Sequence, residues 1–231
     1  MKAHLKSITA PKTWQVDRKK NKFIARPKPG AHKLETSMPL LLVLRDVLKL
    51  AESSKEAKYI LTHKEVIVDG KKRRDIKYPL GLMDVLSIPA LKLHFRGILT
   101  TKNKLIFTSI SKEESEFKLS KITNKKIVGK KVQLNLSDGR NILLDKNNYK
   151  TGDTLALKLP SQEIVKHLPL KEGCTVYLVA GEHKGAVGKL ISIKGNNAGV
   201  VIDGEEFETP KKYLYVIGDD NPMIDISWSK E

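Results

Sequence analysis

The spacing of apolar residues changes from a helical period to a strand period within residues 37–78, and no other feature constrains the fold as strongly. A first helix is predicted from the apolar residues that recur at helical spacing, which are Leu40, Leu41, Leu44, Val47, Leu48 and Ala51. Ser37 is predicted to cap this first helix, because Pro39 in its first turn loses only an N–H that lacks a helical partner. Ser53-Ser54-Lys55-Glu56 has the form of a capping box and predicts that a second helix begins there. The residues expected to face inward on that helix are Ala57, Ile60 and Leu61.

A strand hairpin is predicted directly after the second helix. Glu65–Gly70 alternates as a strand that runs into a tight turn, and Ile76 and Tyr78 indicate the returning strand. The turn is followed by the consecutive cations Lys71, Lys72, Arg73 and Arg74. Arg45 and Lys49 are expected to share one face of the first helix. With these cations on the helix and four more at the hairpin, the stretch is predicted to form a compact platform for phosphate. The simpler alternative is a helical hairpin whose charges are only solvated.

Ser54-Lys55, Ala57 and the strand and turn Val66-x-Val68-Asp69-Gly70-Lys71 form a recognisable pattern. In this pattern the chain resembles the RNA-binding module first described in ribosomal protein four and shared by several RNA-modifying enzymes and synthetases. Met38-Pro39-Leu40 and His63-Lys64 replace the residues that usually open the module and precede its hairpin. The resemblance implies a small helical-hairpin module that binds RNA.

The net charge is +17 and is distributed unevenly along the chain. Residues 1–170 carry a net charge of +20, whereas residues 171–231 carry −3. A positive field of this size favours a polyanionic partner, because each neutralised phosphate releases bound counterions. The acidic end indicates that different segments face different partners, and we expect it to turn away from the polyanion.

The composition argues against several other classes of protein. The single cysteine, Cys174, excludes an internal disulfide, fits a reducing compartment and is expected to be a small buried strand residue. Basic residues interrupt any apolar run near the start, and the longest run, 39–44, is too short to cross a bilayer, so neither a signal peptide nor a membrane partner is expected. The histidines lack metal-ligand spacing, and no nucleotide-binding loop or catalytic constellation stands out. No metal, cofactor or small-molecule substrate is therefore expected.

Residues 1–36 are predicted to form a basic extended arm, because they contain too few apolar residues to close a core. Up to residue 38 the chain is expected to be disordered in the free protein and to become ordered on RNA. The isolated aromatic residues Trp14 and Phe23 either stack on bases or dock on the adjacent module.

Residues 91–170 are predicted to form a central, barrel-like β domain. Its expected strands are 93–100, 105–110, 132–136, 142–144, 153–159 and 163–168. A helical turn is predicted over residues 112–117, with Ser111 and Glu114 at capping spacing. A basic rim between the strands, which either contacts RNA or is a solvated face, is expected from Lys121, Lys125, Lys126, Lys130 and Lys131.

Residues 171–231 are predicted to form a second small β unit of the SH3-like barrel type. The strand 175–180, the glycine-rich turn 181–188 and the strand after it resemble a KOW motif. Only the turn is expected to touch RNA, because it carries His183 and Lys184 while its neighbourhood is acidic. The acidic residues include Glu205, Glu206 and Glu208.

Three short patterns in the arm, Pro11-Lys12-x-Trp14, Arg26-Pro27 and Gly30-x-His32-Lys33-Leu34, occur together with Tyr78–Ile88 after the hairpin. With the module at 37–90 and the KOW-type unit, they resemble the family of small-subunit ribosomal protein four of the archaeal and eukaryotic type. The resemblance implies an α+β, multi-domain structural protein of the small ribosomal subunit, cytoplasmic and not an enzyme. The implied partners are ribosomal RNA and neighbouring ribosomal proteins. A free RNA-binding regulatory factor and an RNA-modifying enzyme remain as alternatives.

Contacts to phosphate and to the shape of the RNA are expected to dominate over contacts to bases. Paired RNA presents phosphates and 2′-hydroxyls more readily than base edges, and lysine and arginine are the side chains that neutralise phosphate. The residues predicted to contact RNA are Lys12, Arg18, Lys19, Lys20, Arg26, Lys33, Arg45, Lys49, Lys55, Lys58, Lys64, Lys71, Lys72, Arg73, Arg74, Lys125, Lys126, Lys130, Lys131, His183 and Lys184.

Overall fold

The computed structural model describes residues 4–145, 148–224 and 226, and it is mostly β. The chain forms two compact units, the first comprising residues 1–99 and 103–116 and the second residues 100–102 and 117–231. The division into four segments expected from the sequence stays a prediction. Each compact unit is described separately below.

The amino-terminal unit contains a five-stranded antiparallel sheet in the order β5-β4-β7-β8-β9 and two two-stranded sheets, β1-β2 and β3-β6. Its strands are β1 (Leu5–Lys6), β2 (Phe23–Ile24), β3 (Ser37–Pro39), β4 (Ile67–Val68), β5 (Lys71–Lys72), β6 (Pro79–Gly81), β7 (Val85–Ile88), β8 (Leu93–Leu99) and β9 (Leu105–Ser109). Its α-helices are α1 (Leu40–Leu42), α2 (Ser54–His63) and α3 (Lys112–Ser115). Short 3-10 turns lie at Ser7–Thr9, Leu34–Thr36 and Pro89–Leu91.

The first helix is shorter and less regular than predicted. α1 continues as a π-helical turn over Val43–Val47, in which the Leu48 N–H donates to the Val43 carbonyl at 2.9 Å. The prediction that Ser37 caps the helix was wrong, because Ser37 is buried in β3 and its Oγ donates to the Lys33 carbonyl. Helical geometry ends before Lys49, which has a φ of 53°. Lys49 therefore does not extend the helix face that carries Arg45.

The second helix and the hairpin after it follow the sequence prediction closely. Ser53 Oγ accepts from the Glu56 N–H at 3.2 Å, and Glu56 Oε2 accepts from the Glu52 N–H at 2.8 Å, which confirms the capping box. Asp69 and Gly70 have φ values of 49° and 75°, as a two-residue type I′ hairpin requires. The returning strand is β5, directly after this turn. The expectation of a strand at Ile76 and Tyr78 was wrong, because their carbonyls accept instead from the N–H groups at the start of α1.

The arm is packed against the rest of its unit, contrary to the expectation of disorder in the free protein. Trp14 is 1% exposed, and its Nε1–H donates to the Ser37 carbonyl at 2.6 Å. His32 Nε2 lies 2.8 Å from Asp84 Oδ1, and both side chains are buried. Docking is therefore the role of Trp14, whereas Phe23 remains 52% exposed. A few well-placed side chains anchor the arm, although it has too few apolar residues for a core of its own.

The carboxyl-terminal unit contains two five-stranded antiparallel sheets, in the orders β12-β11-β10-β13-β14 and β18-β17-β16-β15-β19. The strands of the first sheet are β10 (Phe117–Val128), β11 (Lys131–Leu136), β12 (Asn141–Leu144), β13 (Thr154–Lys158) and β14 (Ile164–Leu168). Those of the second are β15 (Thr175–Leu178), β16 (Val187–Lys194), β17 (Asn197–Ile202), β18 (Glu205–Pro210) and β19 (Leu214–Gly218), with a 3-10 turn at Lys211–Tyr213. Cys174 is buried as expected but lies directly before β15 rather than in a strand, and burial raises the pKa of its thiol.

The long strand β10 was not predicted, and it organises the first of these sheets. Its residues 117–121 pair with β13, and its residues 122–128 pair with β11. The register shifts between Ile122 and Asn124, which marks a bulge where the strand changes partners. The bend lets one strand contribute to both sides of a core formed by Ile122, Val132, Leu134, Leu136, Leu155 and Leu157.

The substitution Trp14→Ala tests whether the arm is anchored as described. We expect it to lower the free energy of unfolding by about 3–5 kcal/mol, because it leaves a large cavity. Phe23→Ala is the matched control, with an expected change below about 1 kcal/mol since the ring is half exposed. Urea denaturation measures both values, and amide exchange should show protection of the Ser7 and Lys28 N–H groups without RNA. Equal effects of the two substitutions would contradict the anchoring role of Trp14.

Candidate nucleic-acid interface

The segment from β4 to Arg74, here called the basic hairpin, holds four consecutive cations directly after its two-residue turn, the first two of them in β5. Asp69 Oδ1 accepts from the Val85 N–H at 2.9 Å, which fixes the turn to the neighbouring strand. The ammonium group of Lys72 lies 3.0 Å from Glu65, and the guanidinium carbon of Arg73 lies 4.4 Å from the centroid of the Tyr78 ring. Lys71 and Arg74 are exposed and have no ion-pair partner among the described residues. The hairpin therefore presents two cations outward and holds two against its own surface.

The helices contribute cations of two kinds. Lys55 and Lys58 are exposed on α2, and Lys64, directly after it, is half-buried. Arg45 instead forms a two-pronged ion pair with Asp46, in which Nε and Nη2 donate at 2.8 and 2.9 Å. These hydrogen bonds raise the pKa of Arg45 and occupy the two donors that would grip a phosphate.

The arm likewise contains both exposed and structural cations. The Arg18 guanidinium donates to the carbonyls of Ile8 and Pro11, at 3.1 Å each, and thereby holds the start of the arm in place. Arg26 is half-buried. The cations whose side chains are exposed along the arm include Lys12, Lys19, Lys20 and Lys33.

The predicted basic rim of the central β domain lies on strands rather than between them. Lys125 and Lys126 belong to β10 and Lys131 to β11, and Lys130 lies in the turn that joins the two strands. Lys125 donates to the Tyr149 carbonyl at 2.6 Å, and Lys131 lies 3.3 Å from Asp145. The remaining exposed charges, those of Lys126 and Lys130, lie towards the end of the β10–β11 hairpin.

Lys121 does not belong to this rim. Its side chain is buried, and Nζ donates to the carbonyls of Lys211, Lys212 and Leu214 at 3.3, 2.9 and 2.6 Å. Burial lowers the pKa of Lys121 to about 8. The ammonium group therefore links β10 to the start of β19, and its expected place in a basic rim was wrong.

The glycine-rich turn 181–188 is packed within its own unit. A Cβ at Gly185 would lie 2.3 Å from the Thr100 carbonyl carbon, so the close approach allowed by this glycine is to Thr100 and Thr101. The His183 ring lies 3.9 Å from the Phe207 ring, and Lys184 is half-buried. By contrast, exposed carboxylates line the edge strand β18, at Glu205, Glu206 and Glu208. Contact of His183 and Lys184 with RNA stays a prediction.

Two further observations concern only the described part of the chain. In residues 4–145, 148–224 and 226, no three histidine, cysteine, aspartate or glutamate side chains cluster as metal ligands. Within the same ranges, none of the helices has the length and apolar character needed to span a bilayer.

Antiparallel sheets with exposed lysine and arginine at their hairpins define a basic, β-rich protein of at least two compact units. The model of ribosomal family S4e matches residues 91–164, and the model of the RS4NT (NUC023) domain matches residues 1–35. Two relatives named small ribosomal subunit protein eS4, from Methanocaldococcus jannaschii and Methanococcus aeolicus, are each 41% identical over 96% of this chain and over 97% and 96% of their own lengths, respectively. The chain therefore belongs to the ribosomal S4e family.

A solved structure agrees with this assignment. The crystal structure of the 30S ribosomal protein S4e from Thermoplasma acidophilum is similar with a TM-score of 0.70 and 34% identity. The match covers 80% of this chain and 96% of that one. The family resemblance inferred from the arm and from Tyr78–Ile88 is confirmed, and so is the multi-domain organisation. The architecture is mostly β with few helices rather than the expected α+β, and a small helical-hairpin module is not evident, because the first helix is short and irregular.

The substitution Lys121→Met tests the buried ammonium group through its pH dependence. Between pH 8 and 10.5, the unfolded chain binds more protons at Lys121 than the folded chain, so this group makes stability rise with pH. We expect the free energy of unfolding of the wild type to gain up to about 3 kcal/mol over Lys121→Met across that window. Urea denaturation of both proteins at each pH measures the difference. A difference that does not vary with pH would show that Lys121 titrates as an exposed lysine.

Proposed function

We propose that the protein is a structural component of the small ribosomal subunit that binds ribosomal RNA mainly through phosphate contacts and shape. The observation that carries the proposal is the basic hairpin, where Lys71 and Arg74 are exposed just after a turn that Asp69 fixes to the neighbouring strand. The relatives named small ribosomal subunit proteins support ribosomal RNA as the partner of this surface. The family and these names indicate a ribosomal structural protein and not an enzyme.

The rigidity of the hairpin favours phosphate binding. The type I′ turn and its hydrogen bonds to Val85 already hold the backbone, so binding orders mainly the side chains. Each phosphate neutralised by lysine or arginine releases counterions, which supplies a favourable and salt-dependent free energy. Arg73 and Lys72 contribute positive potential, although their side chains are held by Tyr78 and Glu65.

The proposal also assigns a role to each segment of the chain. Residues 37–90 act as the RNA-binding module of the ribosomal-protein-four type, with the arm beside it, and residues 91–170 act as a central β domain. Residues 171–231 act as a KOW-type unit, supported by the five-stranded sheet whose strands β15 and β16 flank the glycine-rich turn. The acidic edge strand β18 faces neighbouring ribosomal proteins or solvent, because phosphates within about 8 Å would repel its carboxylates at physiological salt. The cytoplasm is the proposed location.

A free RNA-binding regulatory factor is the competing function, and it differs in its partner rather than in its chemistry. A ribosomal component should stay with the small subunit when subunits are sedimented through high salt, because shape complementarity adds to the ionic contacts. A regulatory factor held only by phosphate contacts should be released, since these contacts weaken steeply with salt. Recovery of the protein only in the free fraction would favour the regulatory factor.

The double substitution Lys71→Ala with Arg74→Ala tests the basic hairpin. We expect weaker binding to a paired ribosomal RNA fragment and a smaller slope of log affinity against log salt. The slope should fall by about 0.7–0.9 for each lost contact, with little change in sequence preference. Lys72→Ala and Arg73→Ala should each change the slope less, because their charges are partly held within the protein. Filter binding across a salt series measures these slopes.

Two controls accompany this measurement. Lys189→Ala with Lys194→Ala removes the same charge from exposed positions of β16 and should leave the slope unchanged. Reversal of Glu205, Glu206 and Glu208 to lysine should not weaken binding, because β18 is expected to face away from RNA. A slope that is the same for the wild type and for the variant with Lys71 and Arg74 replaced would show that the hairpin cations are only solvated.

A further inference from the structure

One stripe of α2 is exposed to solvent. Its residues recur at positions i, i+3, i+4, i+7 and i+8, and all five are exposed: Lys55, Lys58, Tyr59, Thr62 and His63. The opposite face of the helix carries Ala57 and Leu61, which are fully buried. Helix α2 is therefore anchored by one face, and the stripe remains open to solvent.

The stripe contains a preformed stack of two rings. The ring centroids of Tyr59 and His63 are 4.0 Å apart and the ring planes differ by 22°. Tyr59 is nevertheless 59% exposed, so the stack leaves much of the phenol ring in water. His63 Nδ1 lies 3.2 Å from the Tyr59 carbonyl, which orients the imidazole over its neighbour. Stacking within the helix thus orders both rings without burying them.

The charges around the stack indicate the nature of its ligand. Lys55 and Lys58 lie one helical turn or less before Tyr59, and no ion-pair partner for either is found among the described residues. The nearest acid along the helix, Glu56, is engaged at the cap by Ser53 and the Glu52 N–H. Flat aromatic rings beside unpaired ammonium groups match a nucleotide, which joins a flat base to a phosphate.

We propose that the Tyr59–His63 pair is a stacking site for an unpaired nucleobase of RNA, with Lys55 and Lys58 holding the adjoining phosphates. The inference rests on the proposed RNA-binding function and adds a base-contacting site to a surface otherwise expected to read phosphate and shape. A base that extends the existing ring stack gains contact with rings that are already oriented, so little rotamer freedom is lost. Stacking tolerates any base sequence, but it requires that the base is not already paired.

The test uses the full-length protein and two RNA probes with the same number of phosphates. One is a single-stranded octamer with 2-aminopurine in place of one base, and the other is a fully paired hairpin. Tyr59→Ala should weaken binding of the single-stranded probe by about 5- to 100-fold and abolish the change in 2-aminopurine fluorescence. Its salt slope should stay unchanged, because no phosphate contact is lost. Binding of the paired hairpin should change less than about twofold.

Matched variants separate stacking from bulk and charge. Tyr59→Phe keeps the ring and should retain affinity, whereas Tyr59→Leu keeps apolar bulk and should bind as weakly as Tyr59→Ala. Lys58→Ala should lower the salt slope for both probes by about 0.7–0.9. Urea denaturation checks that each variant remains folded. If Tyr59→Ala does not fold, Tyr59→Leu, which preserves most of the apolar surface, provides the test of stacking.

The outcomes distinguish this inference from the proposed function. If Tyr59→Leu binds the single-stranded probe like the wild type while the substitution of Lys71 and Arg74 weakens the paired probe, the stacking site is wrong and RNA binding stands. If the wild type binds neither probe, the proposed function fails as well. If Tyr59→Leu weakens both probes equally, the ring supports general packing against RNA, and a site for unpaired bases is excluded.

Discussion

Capture of buried cations by backbone carbonyls and carboxylates is the interaction on which the carboxyl-terminal unit depends. Lys121 donates to three carbonyls, and Lys118 lies 3.1 Å from Asp138, with both of those side chains almost completely buried. Burial tends to raise the pKa of Asp138, but the charges of Lys118 and Arg140 hold it below its ordinary value. Breaking such contacts would leave buried charge without a partner, which costs more than an ordinary surface substitution. Some of the 43 lysines and arginines of this chain thus stabilise the fold through buried hydrogen bonds and ion pairs.

The parts of the fold that could be predicted from the sequence are those whose contacting residues are close together in the chain. Local chemistry was decisive where it acted alone: the caps at Ser53 and Ser111 form as expected because their partners lie three residues away. Prediction failed where distant partners intervened. Ser37 pairs with Gly81 in a sheet and therefore does not cap a helix. Strand β10 was not predicted, because its lysines interrupt the alternation of apolar residues. The arm was mistaken for a disordered segment because its anchors, Trp14 and His32, find their partners far along the chain.

The candidate interface shows the same limit at the level of single side chains. Charge along the sequence identifies where cations gather, but it does not show which of them remain available to a partner. Arg45 and Lys71 are both predicted to contact phosphate, yet Arg45 is paired with Asp46 whereas Lys71 is exposed in β5, directly after the turn. Tyr59 was overlooked for the opposite reason, because an aromatic residue within a helix is normally assigned to the core. Its spacing of four residues from His63 was the available signal.

The acidic edge strand β18 follows from the constraints on an open sheet as well as from its partners. An edge strand exposes unpaired N–H and carbonyl groups and invites another strand to pair with it. Three exposed glutamates on a short edge discourage such pairing between copies of the chain, since like charges would face each other. The same carboxylates would repel a polyanion, so one set of residues can both limit self-association and disfavour contact with phosphate. These three glutamates contribute to the net charge of −3 over residues 171–231 and have a structural role at an open sheet edge.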